Sequence, residues 1–394
     1  MTESLPVSSS GSTILIQKAR DLAFAIQSCR DEIDASRQLP ARLVDELRKT
    51  GMFRLFVPAE LGGYEVTPMT FTRIIEEIAA IDGATAWVVS VCAVGGLFAG
   101  HMQKGAVQQI YGADPDAILA GGINPTGKAL ITDGGYSVSG HWRFGSGIRH
   151  ATWVYGNCVI YEGEQPRLDA RGAPEMRLML FPATSCQVED TWFTSGLRGT
   201  GSQDFTVRDL FVPAEFSLVA FAGQGSQSGV LYRFPFSLFA VLIAAVPLGI
   251  ARGAIATLID LASAKKPTGS QELLREKTTA QIAVARAEAL HRSGRSFLFE
   301  AIEAMWDEVR KSGNATMKSR LDLRLACTQA ALNSAQAVDL MCEAGGATSI
   351  YSSSPLERAF RDVHTAIQHI AVTPGSLELS GRILLGLEPG TPRF

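Results

Sequence analysis

Two of the six histidines of this 394-residue chain lie close together in the segment FRDVHTAIQHIAVTP, residues 360–374. Apolar residues recur there at spacings of three and four, which predicts a helix that Pro374 closes. His364 and His369 are five positions apart, so about 140° of helical rotation separates them. A helical pair of metal-binding histidines needs a spacing of four. We therefore expect no metal site here; one histidine can face a site while the other lies on the flank of the helix.

A second segment that could do chemistry is GHWRFGSGIRHATW, residues 140–153. Strand alternation predicts that Trp142, Phe144 and Ser146 share one face. An aromatic wall beside a hydroxyl group suits a flat heterocyclic ligand. The same pattern is also typical of the ordinary core of a β domain, and the segment by itself favours that interpretation.

A glycine-rich loop, GLRGTGSQD, occupies residues 196–204 between two predicted strands. Its glycines let backbone N–H groups approach an anion, and Arg198, Thr200 and Ser202 add hydrogen-bond donors. The position between strands argues against a dinucleotide-binding fingerprint, which opens a helix. A plain hairpin loop explains the segment equally well.

The segment GINPTGKA, residues 122–129, approaches the phosphate-loop pattern without completing it. Ala129 lacks the hydroxyl group that would hold magnesium, and a strand pattern follows where a helix is needed. We predict a loop that enters a β domain, with Asn124 as a candidate to line a site.

The segment CEAGGATSIYSSSPLERAFRD, residues 342–362, joins a glycine turn at Gly345 and Gly346 to a helix start. Ser354 can cap that helix, and Arg358 lies in its first turns. Helix entry explains much of this pattern without a ligand.

The composition excludes several classes of protein. With 46% hydrophobic and 19% charged residues and a net charge of −3, the chain has no basic surface for nucleic acid. The apolar run at 236–251 contains a proline and is too short to span a membrane, so we predict a buried core helix. Residues 1–13 are polar, without signal-peptide features, and predicted to be disordered. Six scattered cysteines without a CxxC pair favour reduced thiols and a cytoplasmic location.

Three regions differ in pattern along the chain. Residues 14–116 have helical periodicity, residues 117–225 alternate in short runs typical of antiparallel strands, and residues 226–394 return to long helices. The last region predicts four helices near 230–263, 270–311, 316–344 and 355–387, with short connections that are typical of a bundle.

The order of these segments resembles the acyl-CoA dehydrogenase superfamily. A helical region precedes a β domain with GxWxFxSG and GLRGTGSxD, and a bundle with GG and SPLERxxRD follows. The resemblance covers about residues 15–390. It implies an α+β fold with an N-terminal helical domain, a central antiparallel β domain and a C-terminal four-helix bundle. It also implies a flavin between the β domain and the bundle, and a homotetramer.

The opening segment distinguishes branches of that superfamily. Many of the dehydrogenases carry a catalytic glutamate at a position that falls here on Ile370, beside His369, and no carboxylate occurs between Asp362 and Glu378. RDxxTAxxH, with a histidine in this place, is similar to the oxygenase components of two-component flavin monooxygenases. That branch implies reduced FAD or FMN from a separate flavin reductase, which reacts with O2 to form a C4a-(hydro)peroxide. It also explains the lack of a nicotinamide fingerprint.

The resemblance assigns roles to individual residues. It implies that His369 either hydrogen-bonds the distal peroxide oxygen or takes a proton from the substrate, and that Ser146 lies near flavin N5. It implies further flavin contacts from the β domain by Trp142, Phe144, Arg198, Thr200 and Ser202. It also implies that Gly345, Gly346 and Arg358 reach the cofactor of a neighbouring subunit.

The substrate pocket departs from the pattern of the branch. Many of its members carry a second pocket histidine at a position that falls here on Gly95, so His364 or His150 is a candidate substitute. Asn124 is a further candidate for substrate contact. A glycine in the apolar segment CAVGGLFAG leaves room, and we expect a small aromatic substrate, with a bicyclic ring such as an indole favoured.

Three other interpretations stay open on the sequence. The first is an acyl-CoA dehydrogenase with a displaced catalytic base. The second is a binding or scaffolding protein on this fold without flavin. The third is an N-oxygenase of amines or amino sugars. The sequence leaves the choice between FMN and FAD open.

Overall fold

The computed structural model describes residues 9–219, 227 and 229–390, and its first layer is helical. A helix from Ser9 replaces part of the disorder predicted for residues 1–13, of which residues 1–8 lie outside the described part. Leu15 and Ala19 are buried on one stripe of this helix, which explains why the segment folds. The helices are α1 Ser9–Asp21, α2 Ala23–Ser28, α3 Arg30–Ser36, α4 Ala41–Thr50, α5 Pro68–Ala79, α6 Gly83–Cys92, α7 Val94–Ala99 and α8 Lys104–Val107, with a π-helical turn at Gln108–Gly112.

Side-chain caps begin the two longest apolar helices of this layer. The hydroxyl of Thr67 accepts the N–H of Thr70 before α5, and the carboxylate of Asp82 accepts the N–H of Thr85 at 2.7 Å before α6. Because α6 is buried along nearly its whole length, it carries Trp87 into the interior.

An eight-stranded sheet follows in the described residues, in the order β6-β7-β2-β1-β3-β5-β8 with β4 beside β3. One strand pair is parallel, β1 with β3, whereas the β domain was predicted to be antiparallel. Strand β1 lies between β2 and β3. Strands β2 and β3 run in opposite directions, and β1 is antiparallel to β2, so β1 and β3 are parallel. The strands are β1 Leu119–Thr132, β2 Gly135–Gly145, β3 Trp153–Glu162, β4 Gln165–Pro166, β5 Met176–Pro182, β6 Gln187–Glu189, β7 Gln203–Pro213 and β8 Ser217–Leu218.

The segment predicted as a loop at 122–129 is the middle of β1. Its pairing with β3 shifts register between Gly122 and Gly127. A Cβ atom on Gly127 would lie 2.3 Å from the ring of Trp142, so the glycines of this segment make room for a core tryptophan. Packing against that ring explains the glycines without a phosphate ligand.

The C-terminal region is a bundle built on α9 Leu238–Ala264, α10 Thr278–Ser312 and α11 Met317–Gly345. By length and composition α9 could cross a membrane, but 89% of its most apolar window is buried in the fold, which confirms the predicted core helix. The fourth predicted helix is two shorter ones, α12 Pro355–Ala366 and α13 Gly375–Leu384. The predicted domain boundary at 225/226 falls within residues 220–226, which lie outside the described part.

Candidate functional site

His369 lies in the turn between α12 and α13, so the single helix predicted over 360–374 is wrong. The helix ends at Ala366, and the N–H of Ala371 turns to donate to Nδ1 of the His369 ring at 3.2 Å. The hydroxyl of Ser376 donates to the carbonyl of Ile370 at 3.2 Å and closes the turn from the α13 side. The turn therefore holds the imidazole by one of its two nitrogens.

The His369 ring is neutral at pH 7. Burial, helped by the positive charge of Arg324, lowers the pKa of His369 to about 4. Because Nδ1 accepts a hydrogen bond, the proton of the neutral ring lies on Nε2. The rings of Trp87 and Phe239 flank the imidazole at centroid distances of 5.8 and 5.9 Å. The site thus presents one N–H donor between aromatic walls.

A chain of hydroxyl groups lies on the other side of Trp87. The indole Nε1–H of Trp87 donates to Ser146 Oγ at 3.1 Å, and Ser146 Oγ lies 2.7 Å from Ser202 Oγ. Ser202 Oγ in turn lies 2.7 Å from Thr200 Oγ1, which donates to the carbonyl of Leu197 at 2.8 Å. The two predicted glycine-rich segments therefore meet, and Ser146, Thr200 and Ser202 form one cluster.

The protons of this hydroxyl chain point in one direction. The Thr200 proton goes to a carbonyl, so Ser202 must donate to Thr200, and Ser146 must donate to Ser202. Ser146 has then given its only proton and has accepted the Trp87 N–H. One lone pair remains on Ser146 Oγ, which can accept a hydrogen bond from a ligand.

Trp142 does not belong to this site, and the prediction that it shares a face with Phe144 and Ser146 is wrong. Its ring is fully buried in the β domain, stacks on Phe205 at 5.2 Å, and donates its N–H to the carbonyl of Asn157. An irregularity in the β2–β7 pairing between Trp142 and Gly145 breaks the alternation. The cause is local backbone geometry that alternation cannot foresee.

Phe144 has the opposite environment. Its φ of 65° lies in the left-handed region that side chains rarely adopt, and its ring is 54% exposed beside Trp192. A strained residue that keeps an exposed aromatic ring next to a hydroxyl cluster is typical of a ligand-binding position. Phe144 therefore remains a candidate flavin contact.

The predicted cationic contacts are occupied within the chain. Arg198 donates to the carbonyls of Asp34 and Thr194 at 3.1 and 3.2 Å. Arg358 is buried and pairs with Asp82 at 3.4 Å, so it joins α12 to the N-terminal helices, and its contact with a neighbouring cofactor stays a prediction.

The predicted turn at Gly345 and Gly346 ends α11. The carbonyl of Gly345 accepts Lys265 Nζ at 2.7 Å, and Gly346 adopts a φ of 57°. This local geometry explains both glycines as the end of a helix, and their cofactor contact stays a prediction.

The three predicted substrate residues lie apart from His369. A Cβ atom on Gly95 would lie 2.5 Å from the hydroxyl of Tyr111, so the expected open space is filled. His364 pairs through Nε2 with Asp339 at 2.7 Å, partly exposed between α12 and α11. Asn124 is exposed on β1. Because α12 ends at Ala366, His364 lies on this helix and His369 lies in the turn that follows it.

Three residues of the site were not predicted from the sequence: Trp87, Phe239 and Arg324. An aromatic residue in an apolar helix is most often core, and only the packing of α6 against α9 brings Trp87 and Phe239 to one imidazole. Arg324 lies in a helical segment that also contains other charged residues, and no local signal marks it as buried.

The chain matches proteins of known family over almost its whole length. Residues 14–105 match the acyl-CoA dehydrogenase N-terminal domain, and residues 241–374 match the C-terminal domain of that family. Indole-3-acetate monooxygenase of Pseudomonas putida is 32% identical over 360 residues, which cover 91% of this chain and 90% of that protein. The flavin-dependent monooxygenase oxygenase subunit HsaA of Mycobacterium tuberculosis is 27% identical and covers 95% and 94%. The structure of XiaF from Streptomyces sp. in complex with FADH2 and glycerol superimposes with a TM-score of 0.87 at 26% identity, over 97% of this chain and 98% of that one.

The chain belongs to the acyl-CoA dehydrogenase-like oxygenases of two-component flavin monooxygenases. The resemblance inferred from the order of motifs is confirmed, and so is the fold of helical layer, mostly antiparallel sheet and helical bundle.

The hydroxyl cluster of this oxygenase fits a reduced flavin. A reduced isoalloxazine carries an N–H at N5, which is a donor, and Ser146 has one acceptor position left. Phe144 offers an exposed ring close along the chain, and a flat heterocycle can pack on it. The residues that would hold the cofactor are therefore Ser146 and Phe144, with Thr200 and Ser202 in support.

Proposed function

We propose that this oxygenase acts on a small aromatic substrate with a bicyclic ring, an indole, and that His369 and Ser146 contact the reacting groups. The observation that supports this most is the neutral, half-buried imidazole of His369, which is flanked by the rings of Trp87 and Phe239. Aromatic walls suit a flat substrate, and the monooxygenase relative from Pseudomonas putida is named for indole-3-acetate.

The protein uses reduced FAD or FMN, and an oxygenase component requires a flavin reductase as its partner. The bound flavin supplies the electrons that activate O2. Ser146 holds the flavin by accepting one hydrogen bond, and its own proton is committed to Ser202. Apolar side chains of α6 and α9 keep water from the reaction site.

His369 acts as a hydrogen-bond donor. A group with a pKa of about 4 is a weak base at pH 7, so burial disfavours the role of proton acceptor. The Nε2–H of the neutral ring can donate to oxygen as negative charge develops there. Donors held in place in a site that excludes water stabilise such charge strongly.

The first experiment mixes the protein with anaerobic reduced flavin, adds O2 in a stopped-flow instrument and records absorbance. We expect a transient species distinct from reduced and oxidised flavin. Its decay should be roughly 2- to 10-fold faster in Ser146→Ala, because one hydrogen bond is lost. In His369→Gln, oxygenated product from indole should form roughly 10²-fold more slowly.

His364→Gln is the matched control, since it changes a partly exposed histidine of the same segment that pairs with Asp339. It should leave both rates within about twofold of wild type. Reoxidation at the rate of free flavin, with no transient species and no oxygenated indole, would contradict the proposal.

The acyl-CoA dehydrogenase alternative is less well supported. It needs a carboxylate base near the flavin, and the turn 367–374 contains no Asp or Glu.

We also propose that the protein works as a cytoplasmic homotetramer. The six cysteines are free, which suits a reducing compartment. Leu384, Leu385 and Leu387 are 66%, 81% and 52% exposed, which suits burial against another subunit.

A further inference from the structure

Arg324 on α11 is a buried cation without an acidic partner. Its side chain is only 9% exposed, and its one hydrogen bond within the described residues runs from Nη2 to Ser376 Oγ at 2.9 Å. No ion pair involves Arg324 within residues 9–219, 227 and 229–390. Arg358, which is 8% exposed, shows the usual arrangement, because Asp82 lies 3.4 Å from its guanidinium.

The charge of Arg324 is not compensated by its titratable neighbours. Burial raises the pKa of the Cys327 thiol to about 12, so this group is uncharged at pH 7. His369 is neutral as well, because its pKa is about 4. A guanidinium has five N–H donors, and one of them is satisfied by Ser376. Burying such a cation without an anion costs several kcal/mol, and an anion bound beside it would offset this cost.

Arg324 lies beside the turn that carries His369. Ser376 Oγ receives the hydrogen bond of Arg324 and passes its own proton to the carbonyl of Ile370, the residue after His369. The guanidinium and the imidazole are therefore attached to the two sides of one short turn.

We propose that Arg324 binds the carboxylate of the substrate, so that the enzyme prefers aromatic acids to neutral aromatic compounds. This inference rests on the proposed function, since it places the acid group of the same aromatic substrate. The planar guanidinium matches a carboxylate by two parallel hydrogen bonds. The substrate carboxylate supplies the negative charge that no described residue places beside Arg324.

The experiment compares an acid with a neutral analogue of the same shape. Anaerobic protein with reduced flavin is titrated with indole-3-acetate and with indole-3-acetamide, and the dissociation constants are measured calorimetrically. Wild type should bind the acid about 10- to 100-fold more tightly than the amide. Arg324→Gln should lose this preference and keep its affinity for the amide. Arg324→Lys keeps the positive charge but lacks the planar guanidinium with its two parallel N–H donors, so it should retain part of the preference for the acid.

Arg286→Gln is the matched control, because it removes an exposed arginine from the neighbouring helix α10. It should behave like wild type with both ligands. Equal affinity of wild type for acid and amide overturns the inference, as does the absence of binding by both. If Arg324→Gln loses affinity for the acid and for the amide equally, the inference is also overturned, because that pattern indicates a structural role for Arg324.

Measuring product formation distinguishes a failure of this inference from a failure of the proposed function. A protein that binds the acid through Arg324 but forms no oxygenated product contradicts the function and leaves the carboxylate site standing. A protein that oxygenates both ligands with equal kcat/KM contradicts the carboxylate site alone.

Discussion

Wild type should become less stable as the pH falls below neutral, because His369 is neutral in the folded protein. Replacing His369 by glutamine should remove this part of the pH dependence. The ordinary pKa of histidine is 6.5, and burial lowers that of His369 to about 4 in the folded protein. Between these values the unfolded chain binds a proton that the folded protein does not bind. The free energy of unfolding therefore falls as the pH is lowered through this range.

The size of the loss follows from the two pKa values. At pH 5 the unfolded histidine is almost fully protonated and the folded one is almost fully neutral, which costs about 2 kcal/mol. At pH 4 the cost rises to about 3 kcal/mol. His150 and His291, whose pKa is also lowered to about 4, contribute equally to both proteins and cancel in the comparison.

The assay is urea unfolding of wild type and His369→Gln at pH 7.5 and pH 5. The glutamine oxygen can still accept the N–H of Ala371, so the turn is kept. Wild type should lose about 2 kcal/mol more than the variant on going to pH 5. Gln368→Ala, an exposed neighbour in the same turn, should keep the wild-type dependence.

An equal loss in wild type and His369→Gln would refute the reasoning. It would mean that the folded ring titrates normally. The assignment of His369 as a neutral donor, and with it the preference for a donor over a base, would then fail.

Two further predictions concern the contacts that position the site. Asp362→Ala should cost about 1–3 kcal/mol in urea unfolding and weaken flavin binding, because the N–H of Leu197 loses its acceptor at 2.6 Å. Asp362→Asn keeps an acceptor and should restore most of the flavin affinity, whereas equal defects in both variants would contradict the loop contact. Glu76→Ala should cost about 2–3 kcal/mol, since it breaks the double hydrogen bond between the buried Glu76 carboxylate and the partly exposed Arg295. Arg310→Ala, which breaks an exposed pair, should cost under about 1 kcal/mol, and a similar cost for both would show that burial does not matter here.

The order of the elements and the polar residues of the two glycine-rich segments could be read from the sequence. Periodicity separates helices from strands because side-chain direction repeats every 3.6 residues in one and every two in the other. The hydroxyl groups of Thr200 and Ser202 were recognised because a glycine-rich loop brings backbone and side-chain donors together, whereas the role of Ser146 was inferred from the resemblance to the family. His369 was recognised because a histidine stands beside the place where the dehydrogenases of the family carry a glutamate.

The tertiary structure decided what those residues can do. Trp142 turns into the β domain because the strand pairing is irregular beside it, and the space beside Gly95 is filled by Tyr111 from a later turn of the helical layer. The turn after Ala366 is fixed by Ser376 and by the His369 ring itself, so the helical periodicity of the segment was misleading. The neutral state of His369 depends on burial, and the unpaired charge of Arg324 depends on which acids lie nearby. The protonation state of His369 and the unpaired charge of Arg324 both depend on packing between segments that are distant in the sequence. No local sequence pattern predicts them.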